Sequence, residues 1–181
     1  MQEKIIVIKP DDTIDLQDYT DYKSLQQAVN GMIEHFHSDK LPIDPTQVDP
    51  MAANIKSSLP VDLFCNEEFL VNDSEEFDKI NAVASLLSGQ EIRGNVAMVV
   101  NAGGGENRGF EYKDYEDENE IVHIGYCECS AACDTLREFV VRNENELEQL
   151  HKQLDNNKSE PYFEITSWGD KPKNDGDREE R

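Results

Sequence analysis

The chain has 181 residues, with 39 Asp and Glu against 17 Lys and Arg, for a formal net charge of −22 and a pI near 4.3. That length suffices for a core without disulfide or metal staples. The charge argues against ordinary nucleic-acid binding, which needs a basic footprint to displace counterions, and against docking on anionic membranes.

The N-terminal stretch has only a four-residue apolar run, too short for a signal-peptide core or a membrane span. Four cysteines, three of them within 127–133, do not make a secreted disulfide framework. A cytoplasmic protein with reduced thiols is the expectation.

Periodicity predicts a strand over 4–9 ended by Pro10, an acidic turn region over 11–21, and a helix N-capped by Asp21. Leu25, Ala28 and Val29 share one face of that helix, and Gly31 is expected to end it in the left-handed region. A strand over 32–37 follows. Residues 38–60 read as a long loop, with Pro42, Pro45, Pro50 and Pro60.

The next predicted strand is 61–66, with a hairpin partner at 69–71. Asp73 and Glu76 open a capping-box-like helix whose Phe77, Ile80, Ala84 and Leu87 line one face, stopped by Gly89. An apolar strand over 94–101 runs into Ala102-Gly-Gly-Gly105. The glycine loop lacks the spacing and the Lys-Ser/Thr of a phosphate cradle, so it reads as a flexible connector. The expected fold class is α+β, with helices on one face of a mostly antiparallel sheet.

Within this stretch the run Leu25-Gln-Gln-Ala-Val-Asn-Gly-Met-Ile-Glu34, Cys65-Asn-Glu-Glu68, Asn81 and Ile92-Arg-Gly-Asn-Val96 mark turns and caps. In these residues the chain resembles, over about 4–100, a family of short uncharacterised domains of bacterial genomes, plasmids and phages. It departs from them in its long 38–60 loop and in Phe69, where those domains more often have Gly. The resemblance implies a mobile genetic element or its host as context. It brings no catalytic residues.

Beyond residue 105 the predicted elements are strands over 121–129 and 136–141, then a helix begun by Asn143 and Glu146 with Leu147, Leu150 and Leu154 on one face. A closing strand over 162–168 completes the set. This part is either a β-α-β-like subdomain or an extension of the first sheet. The expected division is therefore 1–105, 106–169 and an unstructured tail at 170–181.

The acidity is not in that tail, which has five acidic and four basic residues, whereas 106–134 has nine against two. The candidate binding surface is accordingly Glu111, Tyr112, Asp114, Tyr115, Glu116, Asp117, Glu118 and Glu120. On one strand face Glu116, Glu118 and Glu120 would stand about 6.6–6.8 Å apart, a row able to imitate phosphates, with the tyrosines as anchors. On a helix, Glu144 and Glu148 would lie one turn apart. A solvated loop that serves solubility is the competing reading.

His123, Cys127, Cys129 and Cys133 form a remote candidate zinc set. Their spacing departs from paired C-x2–4-C ligands, and packing as small apolar residues is preferred. His35 and His37 form an H-x-H without an identifiable third ligand. No cofactor is expected.

The functional expectation is a non-enzymatic protein of a phage or mobile element. It would bind and inhibit a basic, nucleic-acid-binding or defence protein of the host, by DNA mimicry in one version, with no direct nucleic-acid or membrane contact. The alternative is a small-molecule or metal-binding domain with its site in a cleft between the two parts. The oligomeric state is left open.

Overall fold

The computed structural model describes residues 2–36, 59–70, 79–125 and 127–157. Strands β1 (Gln2–Ile8), β2 (Ile14–Asp18), β3 (Ile33–Phe36), β4 (Val61–Asn66), β5 (Val96–Gly103), β6 (Glu106–Arg108) and β7 (Phe110–Tyr112) build one seven-stranded sheet. Its main path is β2-β1-β5-β4-β3, and every pairing in it is antiparallel. Strands β8 (Asp114–Glu116) and β9 (Val122–Ile124) form a separate two-stranded sheet. The helices are α1 (Tyr22–Val29), α2 (Ala82–Ser88), α3 (Glu128–Arg142) and α4 (Glu144–Asn157).

The uninterrupted apolar runs of β1 and β5 follow from burial on both faces. Successive side chains in a strand alternate sides. Ile5, Val7, Phe64, Ala97 and Val99 therefore meet Leu25, Ala28 and Val29 of α1 on one side. Ile6, Ile8, Leu63, Val96, Met98 and Val100 meet α2, α3 and Leu147 of α4 on the other. The α+β class and mostly antiparallel sheet are as expected; the restriction of helices to one face is not. A sheet whose central strands are apolar at both parities needs cover on both sides.

At one end β1 and β5 pair directly, through Ile6–Ile8 and Val96–Met98. At the other end they part, and the run 106–112 lies between them, with β6 on β5 and β7 on β1. Gly109 joins the two strands of the wedge. A Cβ there would stand 2.7 Å from the Cβ atoms of Glu3 and Tyr19 and 2.9 Å from the Lys4 nitrogen. Segments on both sides of residue 105 thus share one sheet and, through α3 and α4, one core.

Several expectations change in detail. Residues 14–18, read as turn, pair with β1 as an edge strand, with half-buried Ile14 and Leu16 set against the core. The left-handed residue ending α1 is Asn30, at φ 59°, not Gly31. Gly31 is needed because a Cβ there would meet Asn66 Nδ2 at 2.3 Å. Residues 67–70 form a 3-10 helix where a hairpin partner was expected, so no strand begins at Phe69.

Ile80 is in a β-bridge with Arg93 rather than in a helix, and α2 starts after the N-cap Asn81. The fully buried Asn81 accepts from the Ala84 amide at 3.0 Å and donates to the carbonyls of Ile8 and Gly94 at 2.9 and 3.0 Å. Gly89 ends α2 at φ 73°. The glycine loop is a hairpin between β5 and β6, with Gly103, Gly104 and Gly105 all at positive φ.

The largest correction concerns 127–142, where two strands were expected and one helix is found. Cys129, Cys133, Leu136 and Val140 recur at three- and four-residue intervals and line the buried or half-buried face of α3. That is a helical period, which dividing the segment into two short strands concealed. The predicted strand 121–129 shrinks to Val122–Ile124.

Asn143 stands at the junction of α3 and α4. Its carbonyl accepts the Leu147 amide and its side chain donates to the Phe139 carbonyl. The 38–58 part of the proline-containing loop, the Asp73/Glu76 capping box, Phe77, His37, the 162–168 strand and the 170–181 tail lie outside the described residues.

Candidate functional site: an exposed acidic hairpin

The candidate residues at 111–120 divide between two settings. Glu111 and Tyr112 belong to the main sheet in β7. The Glu111 amide donates to Glu128 at 3.0 Å, and Lys4 lies 4.9 Å from the Tyr112 ring centre. Tyr112 is half-buried against the core, so it is not an exposed anchor.

Asp114, Tyr115, Glu116, Asp117, Glu118 and Glu120 lie on the β8–β9 hairpin. Its register is Asp114 opposite Ile124, Tyr115 opposite His123 and Glu116 opposite Val122. Opposed residues share a face. One face therefore carries Asp114, Glu116, Val122 and Ile124, and the other carries Tyr115 stacked on His123 at 5.4 Å.

The turn is organised by Asp117. Its Oδ1 accepts the amides of Asn119 and Ile121 at 2.8 and 3.0 Å, and its Oδ2 is 2.9 Å from His123 Nε2. The contact with His123, followed by the two amides, holds the Asp117 carboxyl below its ordinary range. Glu120 takes a left-handed conformation at φ 61°. Strand β8 ends at Glu116, so Glu116, Glu118 and Glu120 do not form the expected strand row. A turn ordered by Asp117 cannot continue the two-residue alternation that such a row requires.

Apolar exposure is concentrated at the same place. Tyr115, Ile121, Val122 and Ile124 are 57%, 54%, 57% and 46% exposed, and they make up four of the seven large hydrophobic side chains left exposed among the described residues. Sequence reasoning identified the acids and missed the aliphatic residues of β9, because 121–129 was read as a longer strand.

The candidate zinc ligands His123, Cys127, Cys129 and Cys133 are not brought together, and the cysteines pack in the core as the preferred reading had it. His123 faces Asp117 on the hairpin, while Cys127, at the start of α3, and Cys129 and Cys133 within it are buried as free thiols in the core. A shared hydrogen bond with Cys133, together with burial, raises the Cys129 thiol far above its ordinary value. Burial, reinforced by Glu34, pushes Cys65 up to about 11. Among the described residues, no group of three or more His, Cys, Asp or Glu side chains is placed to hold a metal. Glu144 and Glu148 are one turn apart in α4, with Glu148 joined to Lys152 at 3.4 Å.

Two polar arrangements were not foreseen. On the α1 side of the sheet the buried Asp62 carboxylate lies 3.1 Å from His35 Nε2 and 3.2 Å from Asn101 Nδ2. Asn107 stands opposite Asn101. The signal was present, since Asp62 interrupts the apolar run of β4. A carboxylate that fixes one ring nitrogen orients an imidazole for proton transfer or ligand binding. On the other side Arg108 forks onto Glu128 at 2.6 and 2.8 Å, which ties β6 to the first turn of α3.

No helix among the described residues is long and apolar enough to cross a membrane. Comparison with protein-family models, curated proteins and solved structures returned no match, so the resemblance over 4–100 rests on the residues quoted for it alone.

Proposed function

We propose that this is a non-enzymatic interaction protein that uses the β8–β9 hairpin to bind a basic protein, in the setting of a phage or other mobile element. Binding there would block a nucleic-acid-binding or defence factor of the host. The observation that carries the reading is the coincidence, on one hairpin outside the main sheet, of Asp114, Glu116, Glu118 and Glu120 with exposed Tyr115, Ile121, Val122 and Ile124. Solubility alone accounts for the carboxylates but not for the apolar side chains among them. Opposite charge would steer association and make it sensitive to salt. The DNA-mimic version requires carboxylates spread over the turn and both strands instead of a single row.

The test is a low-salt pull-down from lysate of the cell of origin, with the wild-type chain and a Glu116→Lys, Glu118→Lys, Glu120→Lys variant. The wild type is expected to retain a basic protein that the variant loses. Equal retention by both, persisting in raised salt, overturns the reading.

A further inference from the structure

We infer that the partner docks on this hairpin as a third strand, an extended basic segment laid along the free edge of β9. This rests on the proposed function above and specifies its geometry.

The register decides which backbone groups are available. The Gly125 amide donates to the Lys113 carbonyl at 2.8 Å and the Asp117 amide to the Ile121 carbonyl at 3.0 Å. Bonded and non-bonded pairs alternate in an antiparallel ladder, so Tyr115 and His123 form the bonded pair between them. The N–H and C=O groups of Val122 and Ile124 then point away from β8. Among the described residues the hairpin is a two-stranded sheet, and no third strand takes these groups.

The two edges differ in chemistry. Edges are normally protected by Lys, Pro, a bulge or inward charge. Strand β8 carries Asp114 and Glu116, but β9 reads Val-His-Ile and exposes both aliphatic side chains. It is the unprotected edge.

Charge selects the occupant. A second copy would bring the same carboxylates together in a chain of net charge −22, which opposes self-pairing. A segment with Lys or Arg at alternate positions fits instead. On the Val122 and Ile124 face its alkyl stems would cover those side chains, while its charged heads reach back toward Asp114 and Glu116, two strand spacings or about 10 Å away. The three strands would then run acidic, aliphatic, basic across one face.

The experiment uses the full chain and two capped heptapeptides of equal charge: alternating Lys-Thr-Lys-Thr-Lys-Thr-Lys, and its isomer with the four Lys in one block. Affinity is measured by titration and amide exchange by NMR. The alternating peptide is expected to bind more tightly and to slow exchange at the Val122 and Ile124 amides. Val122→Pro, which removes one outward N–H, should weaken it about fivefold, the worth of one net hydrogen bond. Val122→Lys, which keeps the backbone and adds a protective charge, should weaken it as well.

Equal binding of both peptides without protection of those two amides overturns strand docking and leaves the acidic surface standing. Protection of the Asp114 and Glu116 amides instead, or concentration-dependent protection without peptide, overturns it in favour of the other edge or of a second copy. Failure of both peptides to bind at low salt removes the underlying reading too.

Discussion

Glu128 shows how a half-buried carboxylate can keep its charge. Burial alone would raise its proton affinity, but the fork from Arg108 and the amide of Glu111 outweigh that and hold it below the ordinary value of 4.5. The unfolded chain takes up this proton near 4.5, whereas the folded chain resists until lower pH. The stabilisation is therefore complete above about 4.5 and is lost as pH falls through the folded value. Glu128→Gln should lower stability by about 2 kcal/mol at neutral pH, since Arg108 and the Glu111 amide lose a charged acceptor. The difference from wild type should shrink on acidification, as urea melts from about pH 7 to about pH 3 would show. A constant difference across that range would mean that Glu128 acts through packing rather than charge.

At the level of elements, α3 and the hairpin that precedes it have opposite roles. The helix buries Cys129, Ala132 and Leu136 against the sheet, while the hairpin touches the core through none of its exposed residues. Leu136→Ala should cost about 2–5 kcal/mol, as large-to-small changes in a packed core do. Tyr115→Ser should stay within about 0.5 kcal/mol of wild type. Urea unfolding measures both. A large loss from Tyr115→Ser would show that the hairpin belongs to the cooperative unit and is not simply a binding projection. The hairpin depends on Asp117 for local order, and three-residue strands in a two-stranded sheet are marginal by themselves. Marginal local stability would suit the proposed addition of a third strand.

For the molecule as a whole, the charge of −22 acts in two opposing ways. Self-repulsion loosens the folded state, and salt screens it over a length of about 10 Å at 0.1 M. Raising NaCl from about 0.05 to about 0.5 M should therefore raise the thermal midpoint while weakening the hold on a basic partner. Calorimetry and a binding titration on the same samples check the pair. A midpoint that falls with salt would indicate that ion pairs such as Arg108–Glu128 and Lys4–Asp18 outweigh the net repulsion.

The local code of this chain was legible wherever the determinant lies within a few residues. Asp21 capping α1, Gly89 ending α2, and the apolar runs of β1, β4 and β5 follow from side-chain chemistry and period alone; α4 begins after Asn143 as its period predicts, although the Asn143 side chain bonds back to Phe139 and does not cap it. The acidity around 114–120 was legible too, because charge is a property of composition. Other features depend on partners distant in sequence. Strand β2 is a strand because β1 offers it an edge, and Gly109 is required because Glu3 and Tyr19 lie against it. Residues 127–142 settle as one helix where Cys129, Cys133 and Leu136 meet a sheet face built from strands far apart in sequence. The hairpin divides the same way: its carboxylates could be counted in advance, but the exposure of Val122 and Ile124 and the outward direction of their backbone groups came only with the register of β8 on β9. A one-residue shift in that pairing would exchange the faces and edges, and nothing local sets it until the Asp117 turn closes.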